Sequence, residues 1–246
     1  MGYGELSQIE VWGYATLLLI GRYLLIAGVF YAIFYVICRK FFLALKIQRK
    51  FPGRRQLREE IKYSLMTFLI YGGSIGLFLY WIDQGMTLRY ETIETYGVPY
   101  FVLSIITMIF LHDTYFYWTH RLMHHPRVFP LVHRTHHRFN TPTPWAAFAF
   151  HPLETILSMG IIPLIIFTMP YHQWALVCFI TFMVVYNVVI HLGFHVRVFS
   201  VTRYQNTALD HDYHHRKGHG NYGLYFKWWD MLMGTMGREK RIASRS

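Results

Sequence analysis

Ten of the fifteen histidines in this 246-residue chain stand at intervals that suit metal ligation. His120 and His124 are four apart, as are His191 and His195. His133, His136 and His137 follow an i, i+3, i+4 pattern, and His211, His214 and His215 repeat it. On a helix these intervals stack imidazoles along one face. Neutral ring nitrogens bind iron, zinc, copper or nickel, and one ion needs three or four of them. The three boxes offer eight and the 191/195 pair brings the total to ten, so the spacing predicts two metal ions.

Carboxylates are scarce around these boxes. Asp113, Glu154, Asp210 and Asp212 are the acids near them in sequence, and neither HExxH nor the Glu-x-x-His pattern of soluble di-iron bundles occurs. Asp113 and Asp212 are read as acceptors that orient ligand imidazoles. His172 and His219 read as surface or hydrogen-bonded residues, with His112, His125 and His151 intermediate. Three other functions share part of this pattern. A membrane zinc-dependent lipid hydrolase needs a general base and a water position. A non-enzymatic metal-binding or transport protein needs ligands along a path through the bilayer. A haem carrier needs paired axial histidines on facing helices.

The elements that must carry the boxes are membrane helices. Hydrophobic residues make 54% of the chain and charged residues 15%, against about 25% charged in a typical soluble domain. Apolar runs extend over about 11–38, 63–82 and 98–123, followed by a shorter pair, 153–169 and 174–191, joined as a hairpin at Pro170–Gln173. Pro163 is expected to kink the first arm of that hairpin. Gly72, Gly73 and Gly76 are expected to let the second helix approach a neighbour closely. The third run, counted to Met123, is about 39 Å long and exceeds the hydrocarbon thickness, so its last turns should project from the membrane. Asp113, Tyr117, His120 and His124 then share one face.

The net charge of +11 does not indicate nucleic acid, because the basic residues do not interleave with a soluble fold. They segregate instead: 22 of the 24 Lys and Arg lie in 39–62, 119–150 and 196–246. With five crossings this places those segments on the cytoplasmic side and the N-terminus outside. All the histidine boxes fall on the same side. Cys38 and Cys178 have no CxxC spacing and read as packing residues. The N-terminal segment lacks the features of a cleavable signal peptide. The segment GNYGLYFKWWDMLMGT, after the last box, reads either as an aromatic shelf at the membrane surface or as packing against the histidine helices.

Three stretches, HDTYFYWTHRLMHH, HRTHHRFNTPTPWAAFAFHPLE and DHDYHHRKGHGNYGLYFKWWDMLMGT, resemble the fatty acid hydroxylase superfamily of membrane di-iron oxidases, most closely its sterol C-5 desaturase-like branch. They cover the second half of the chain. The resemblance implies one all-α domain over 1–246, an integral membrane bundle of four to five spanning helices capped by a cytoplasmic helical region carrying the boxes. It implies two iron ions held by His120, His124, His133, His136, His137, His191, His195, His211, His214 and His215, with zinc as a substitute in purified material. It also implies hydroxylation or desaturation of a sterol-like or fatty-acyl lipid with dioxygen. Electrons would come from a separate donor, cytochrome b5-, ferredoxin- or flavodoxin-like, in a bacterial inner membrane or the endoplasmic reticulum.

Overall fold

The computed structural model describes residues 7–199 and 201–237. Its frame is four helices long and apolar enough to cross a membrane. The first, α1 (Gln8–Tyr31), is started by a capping box in which Ser7 and Glu10 satisfy each other's backbone N–H groups. It runs on as a π-helical segment, Ala32–Ile37, and a short α2 (Arg39–Phe42) follows. Helix α3 (Arg54–Asp83) begins at Gly53, so the basic stretch 54–62 forms its first turns. Helix α4 (Gly97–Met123) has 27 residues and spans about 40 Å, which matches the over-long run expected from the sequence.

After α4 the chain makes two single-turn helices, α5 (Phe129–Val132) and α6 (Arg134–His137). The hairpin follows as α7 (Pro152–Met159), α8 (Ile161–Thr168) and α9 (Gln173–Ile190). Its first arm is broken at Gly160 rather than kinked at Pro163. Proline in the first turn of a helix loses no hydrogen bond, whereas Gly160 makes room for Tyr115, whose hydroxyl donates to the Leu157 carbonyl at 2.6 Å. Together α7 and α8 cover 17 residues, fewer than the four long helices. Helices α10 (Ala208–Lys217) and α11 (Trp228–Leu232) are the last among the described residues.

Of the three glycines in α3, only Gly72 sits at a tight crossing. A Cβ there would lie 2.4 Å from the Thr16 side chain, whereas Gly73 faces open space and Gly76 meets only Trp12 at 3.8 Å. Aromatic packing fills the bundle on the histidine side, with Tyr23, Phe68 and Phe148 buried together against Val184 and Val188. A second cluster of Met108, Ile161, Ile165 and Phe179 fills the other half.

The loops sort by end. Strands β1 (Arg89–Tyr90) and β2 (Tyr171–His172) pair in parallel and join the 84–96 connection to the hairpin turn. At the opposite end Lys46 bridges to Phe194. There the Gln48 amide donates to the Asn140 carbonyl and to Asp212. The basic segment, both HxxHH boxes and the end of α9 therefore share one end of the bundle.

Candidate metal centre

Each box is presented by a helix end. His120 lies in the last turn of α4 and His124 caps it. His133 stands at the junction of α5 and α6, with His136 and His137 in α6. Helix α10 carries His211, His214 and His215; it starts with a Thr207–Asp210 capping box and stops at Gly218, whose φ of 70° is left-handed. His191 caps α9.

Nine of these imidazoles converge in two groups. His120, His124, His133, His137 and His214 form one, and His136, His191, His211 and His215 form the other. Each HxxHH box is divided between them. His133 and His137, four apart, join the first group and His136 the second; His211 and His215 join the second and His214 the first. Adjacent helix positions are turned by about 100°, so the i+3 and i+4 rings of one box point to different centres.

Within the first group, Nε2 of His120 lies 3.0 Å from that of His133, and Nε2 of His214 lies 3.1 Å from those of His124 and His137. In the second, His191 Nε2 is 3.3 Å from His136 and 2.9 Å from His211, and His211 is 3.1 Å from His215. The outer ring nitrogens fix the tautomer of three of these rings. Nδ1 of His120 donates to the Tyr222 carbonyl at 2.9 Å, that of His214 to Gly220 at 2.7 Å, and that of His191 to Asn187 at 2.8 Å. A carbonyl only accepts, so the proton of each neutral ring sits on Nδ1 and a bare lone pair on Nε2 points inward. Lone pairs converging at such distances repel unless a cation lies among them. Nitrogens about 2.1 Å from a first-row metal and at right angles to one another are about 3 Å apart. The donor set therefore fits two imidazole-bound ions.

Burial keeps the rings neutral. It pushes His124 down to about 3 and His191 and His214 down to about 4, helped at His124 by the facing His214. His133, His136, His211 and His215 are held well below the usual range, first by burial and then by the neighbouring imidazoles of both groups. A protonated imidazole cannot ligate.

The structure leaves His195 outside both groups. Helix α9 ends at Ile190, and the chain turns at Gly193 with φ 72°. The i, i+4 relation to His191 is therefore not helical. His195 instead donates its backbone N–H to Leu45 at 2.8 Å. Nor do Asp113 and Asp212 hydrogen-bond to any of the clustered imidazoles. Asp113 accepts from the backbone N–H groups of Tyr225 and Phe226 at 2.7 and 3.2 Å, and Asp212 accepts from Gln48 and Arg216. The carboxylate that does meet one of the clustered imidazoles is Glu154, 2.7 Å from His133 Nδ1 and buried with it. Asp230 works one step further out. It accepts from the backbone N–H groups of Tyr222 and Gly223, in the loop that supplies the carbonyls for His120 and His214.

The sequence shows Glu154 as a nearby acid, but its partner depends on how α7 folds back. The carbonyls of Tyr222, Gly220 and Asn187 have no side-chain signature. The remaining histidines have local partners: His172 faces the Glu91 carbonyl, His219 that of Lys217, and His112 the Tyr225 hydroxyl. His125 and His151 accept from backbone N–H groups two residues on. The aromatic segment packs on the centre at Tyr222, whose ring lies 5.1 to 5.7 Å from those of His120, His124 and His214. Trp228 is stacked with Phe110 and Phe226 on the outside.

A family model described as fatty acid hydroxylase matches residues 105–235. Among curated relatives, the chain is 30% identical over 226 residues to the Delta(7)-sterol 5(6)-desaturase ERG3B of Gibberella zeae, covering 86% of this chain and 67% of the relative. It is 31% identical to Delta(7)-sterol 5(6)-desaturase erg3C of Aspergillus fumigatus, over 73% of this chain and 62% of the relative. It is 32% identical to lathosterol oxidase of Homo sapiens, over 74% and 62%. The chain thus spans about two thirds of the length of these relatives. No solved structure matches it.

Proposed function

Since the chain belongs to the fatty acid hydroxylase family, we propose that it is an integral membrane oxidoreductase that uses dioxygen and external electrons to desaturate or hydroxylate a C–H bond of a sterol-like or fatty-acyl lipid. The observation that carries this reading is the pair of buried imidazole groups, five and four strong, at the end of membrane-length helices. The metal is iron, two ions per chain. Such a pair, when bound, supplies dioxygen reduction and removal of hydrogen from an unactivated carbon.

The protein's own part is positional. Nine histidines hold the ions, and the carbonyls of Tyr222, Gly220 and Asn187 keep three of the rings in the ligating tautomer. Glu154 holds His133. Burial of the rings keeps water away from the reacting carbon, and the adjoining helices admit the lipid from the bilayer. The histidine end faces the cytoplasm, because the exposed charges nearest the ligands, Arg127, Arg134, Arg138 and Lys217, are all basic. A separate electron donor docking there carries an acidic surface.

The test is oxygen consumption by purified protein, reconstituted anaerobically with ferrous iron and supplied with lipid and reductant. Products are identified by mass spectrometry. Turnover that depends on dioxygen and iron is expected. Activity sustained by zinc alone, without oxygen uptake, overturns the reading.

A further inference from the structure

The first apolar span ends at Ile37, and residues 39–50 follow at the histidine end of the bundle. Their side chains are of two kinds. Phe41 is 80% exposed and Leu43 53%, and on a neighbouring segment Val201 is 80% exposed and Val198 73%. The two segments share an aromatic base. The Phe34 ring lies 4.2 Å from that of Phe42 and 5.5 Å from that of Phe194, and the Phe30 ring lies 6.1 Å from that of Phe199. Arg39, Lys40, Arg49 and Lys50, all exposed, flank Phe41 and Leu43 in sequence. No acidic residue occurs from Val11 to Arg58, and among the described residues no carboxylate pairs with any of these four cations. The Arg39 guanidinium lies 4.0 Å above the Phe51 ring, which holds it without neutralising it.

Basic side chains without counter-charges call for an anion. Bulky apolar side chains held out beside them call for an apolar phase, because their exposure to water is unfavourable. At the end of a membrane helix, a phospholipid with an anionic headgroup supplies both. An acidic protein surface matches the charges but sets Phe41 and Val201 against polar groups.

The segment is also tied to the histidine end. The Leu45 carbonyl accepts the His195 N–H at 2.8 Å, and the Gly193 carbonyl accepts the Ile47 N–H and the Lys46 ammonium, each at 3.1 Å. Gln48 donates to Asp212 of α10 at 2.6 Å. Whatever steadies residues 39–50 therefore steadies the turn after His191 and the helix that carries His211.

We propose that residues 39–50 bind the headgroup of an anionic phospholipid in the leaflet on the histidine side, and that the bound lipid braces the turn after His191. The site is independent of the chemistry at the histidines.

Full-length protein is titrated with phosphatidylglycerol or phosphatidylcholine, and retained lipids are counted by native mass spectrometry. Preferential retention of phosphatidylglycerol is expected. Arg39→Gln/Lys40→Gln should weaken it at least about tenfold at low salt, since each basic residue near an anionic surface is worth roughly fivefold. Phe41→Ser should weaken retention at high salt as well, where charge is screened. Arg127→Gln/Lys217→Gln removes the same charge from exposed positions at the same end and should leave retention unchanged. Equal loss in the two double variants reduces the effect to net charge and overturns the site, as does equal retention of the two lipids by the unaltered protein. Retention unchanged in Arg39→Gln/Lys40→Gln, with loss of binding to an acidic redox protein, assigns the patch to a protein partner and also overturns it. Hydrogen exchange at the Ile47 and His195 amides reads the brace. It should slow by about tenfold when phosphatidylglycerol stands at ten times its dissociation constant, and not in Arg39→Gln/Lys40→Gln. Exchange indifferent to the lipid in the unaltered protein overturns the brace.

Discussion

The two histidine groups share boxes but not surroundings. In the group of five, His120 and His214 donate outward to carbonyls, and His133 meets Glu154. In the group of four, His191 is held in this way by a carbonyl of its own helix, while Nδ1 of His211 and His215 is buried with no hydrogen-bond partner among the described residues. The first group also reaches toward solvent at the half-buried His124, whereas every member of the second is buried. Three rings of the first group are thus oriented before an ion arrives. In the second, an ion itself must fix His211 and His215, and losing one of only four imidazoles is more damaging.

Ligand removal should expose that difference most strongly. His211→Ala leaves three imidazoles in the smaller group and should release one metal per chain, lowering turnover by at least about a thousandfold, as happens when one member of a cooperating unit is lost. His124→Ala leaves four in the larger group and should retain both metals. Metal quantification on folded, purified variants decides this, and equal losses in the two would dissolve the contrast.

A second pair tests where the smaller group ends. His191→Ala should lose metal and turnover, whereas His195→Ala, outside both groups, should keep its metal content. Loss of metal in His195→Ala would mean that the turn at Gly193 does not separate these residues in the working protein.

Glu154 has no counterpart in the smaller group. Glu154→Ala should weaken metal binding in the larger group by about 10- to 100-fold. Glu154→Gln, which keeps an acceptor for His133, should recover part of that. Asp113→Asn, which touches no ligand ring, should show a smaller change. Competition with a chelator measures all three.

The smallest effect is on metal-free protein. His124 and His214 are lowered to about 3 and about 4 in the folded chain, below an unfolded value near 6.5. As pH falls through 6.5, the unfolded chain takes up protons that the folded chain refuses, so folding stability declines from there toward pH 3–4. The slope is at most about 1.4 kcal/mol per pH unit for each histidine. Denaturation of metal-free protein between pH 8 and 5 should follow it, and stability that rises on acidification would contradict the burial of these rings.

The sequence by itself determined the helical membrane architecture, the over-long α4 and the spacing of the nine histidines that gather in the two groups. Helical spacing and apolar run length are local properties, set by a rise of about 1.5 Å and a turn of about 100° per residue. The basic segments likewise marked which loops gather at the histidine end.

Only the tertiary structure decided how each HxxHH box is shared, because which centre a ring meets depends on the neighbouring helix. It removed His195, since the end of α9 at Ile190 and the left-handed Gly193 interrupt a spacing that looks helical on paper. It replaced Asp113 and Asp212 by Glu154, 21 residues from His133. It also recruited the carbonyls of Tyr222 and Gly220, which lie 102 residues from His120 and 6 from His214. Every residue carries a carbonyl, so no residue type announces which one will face a ligand. That is settled by where the backbone is held, here by Asp230 and Asp113 gripping the 222–226 loop.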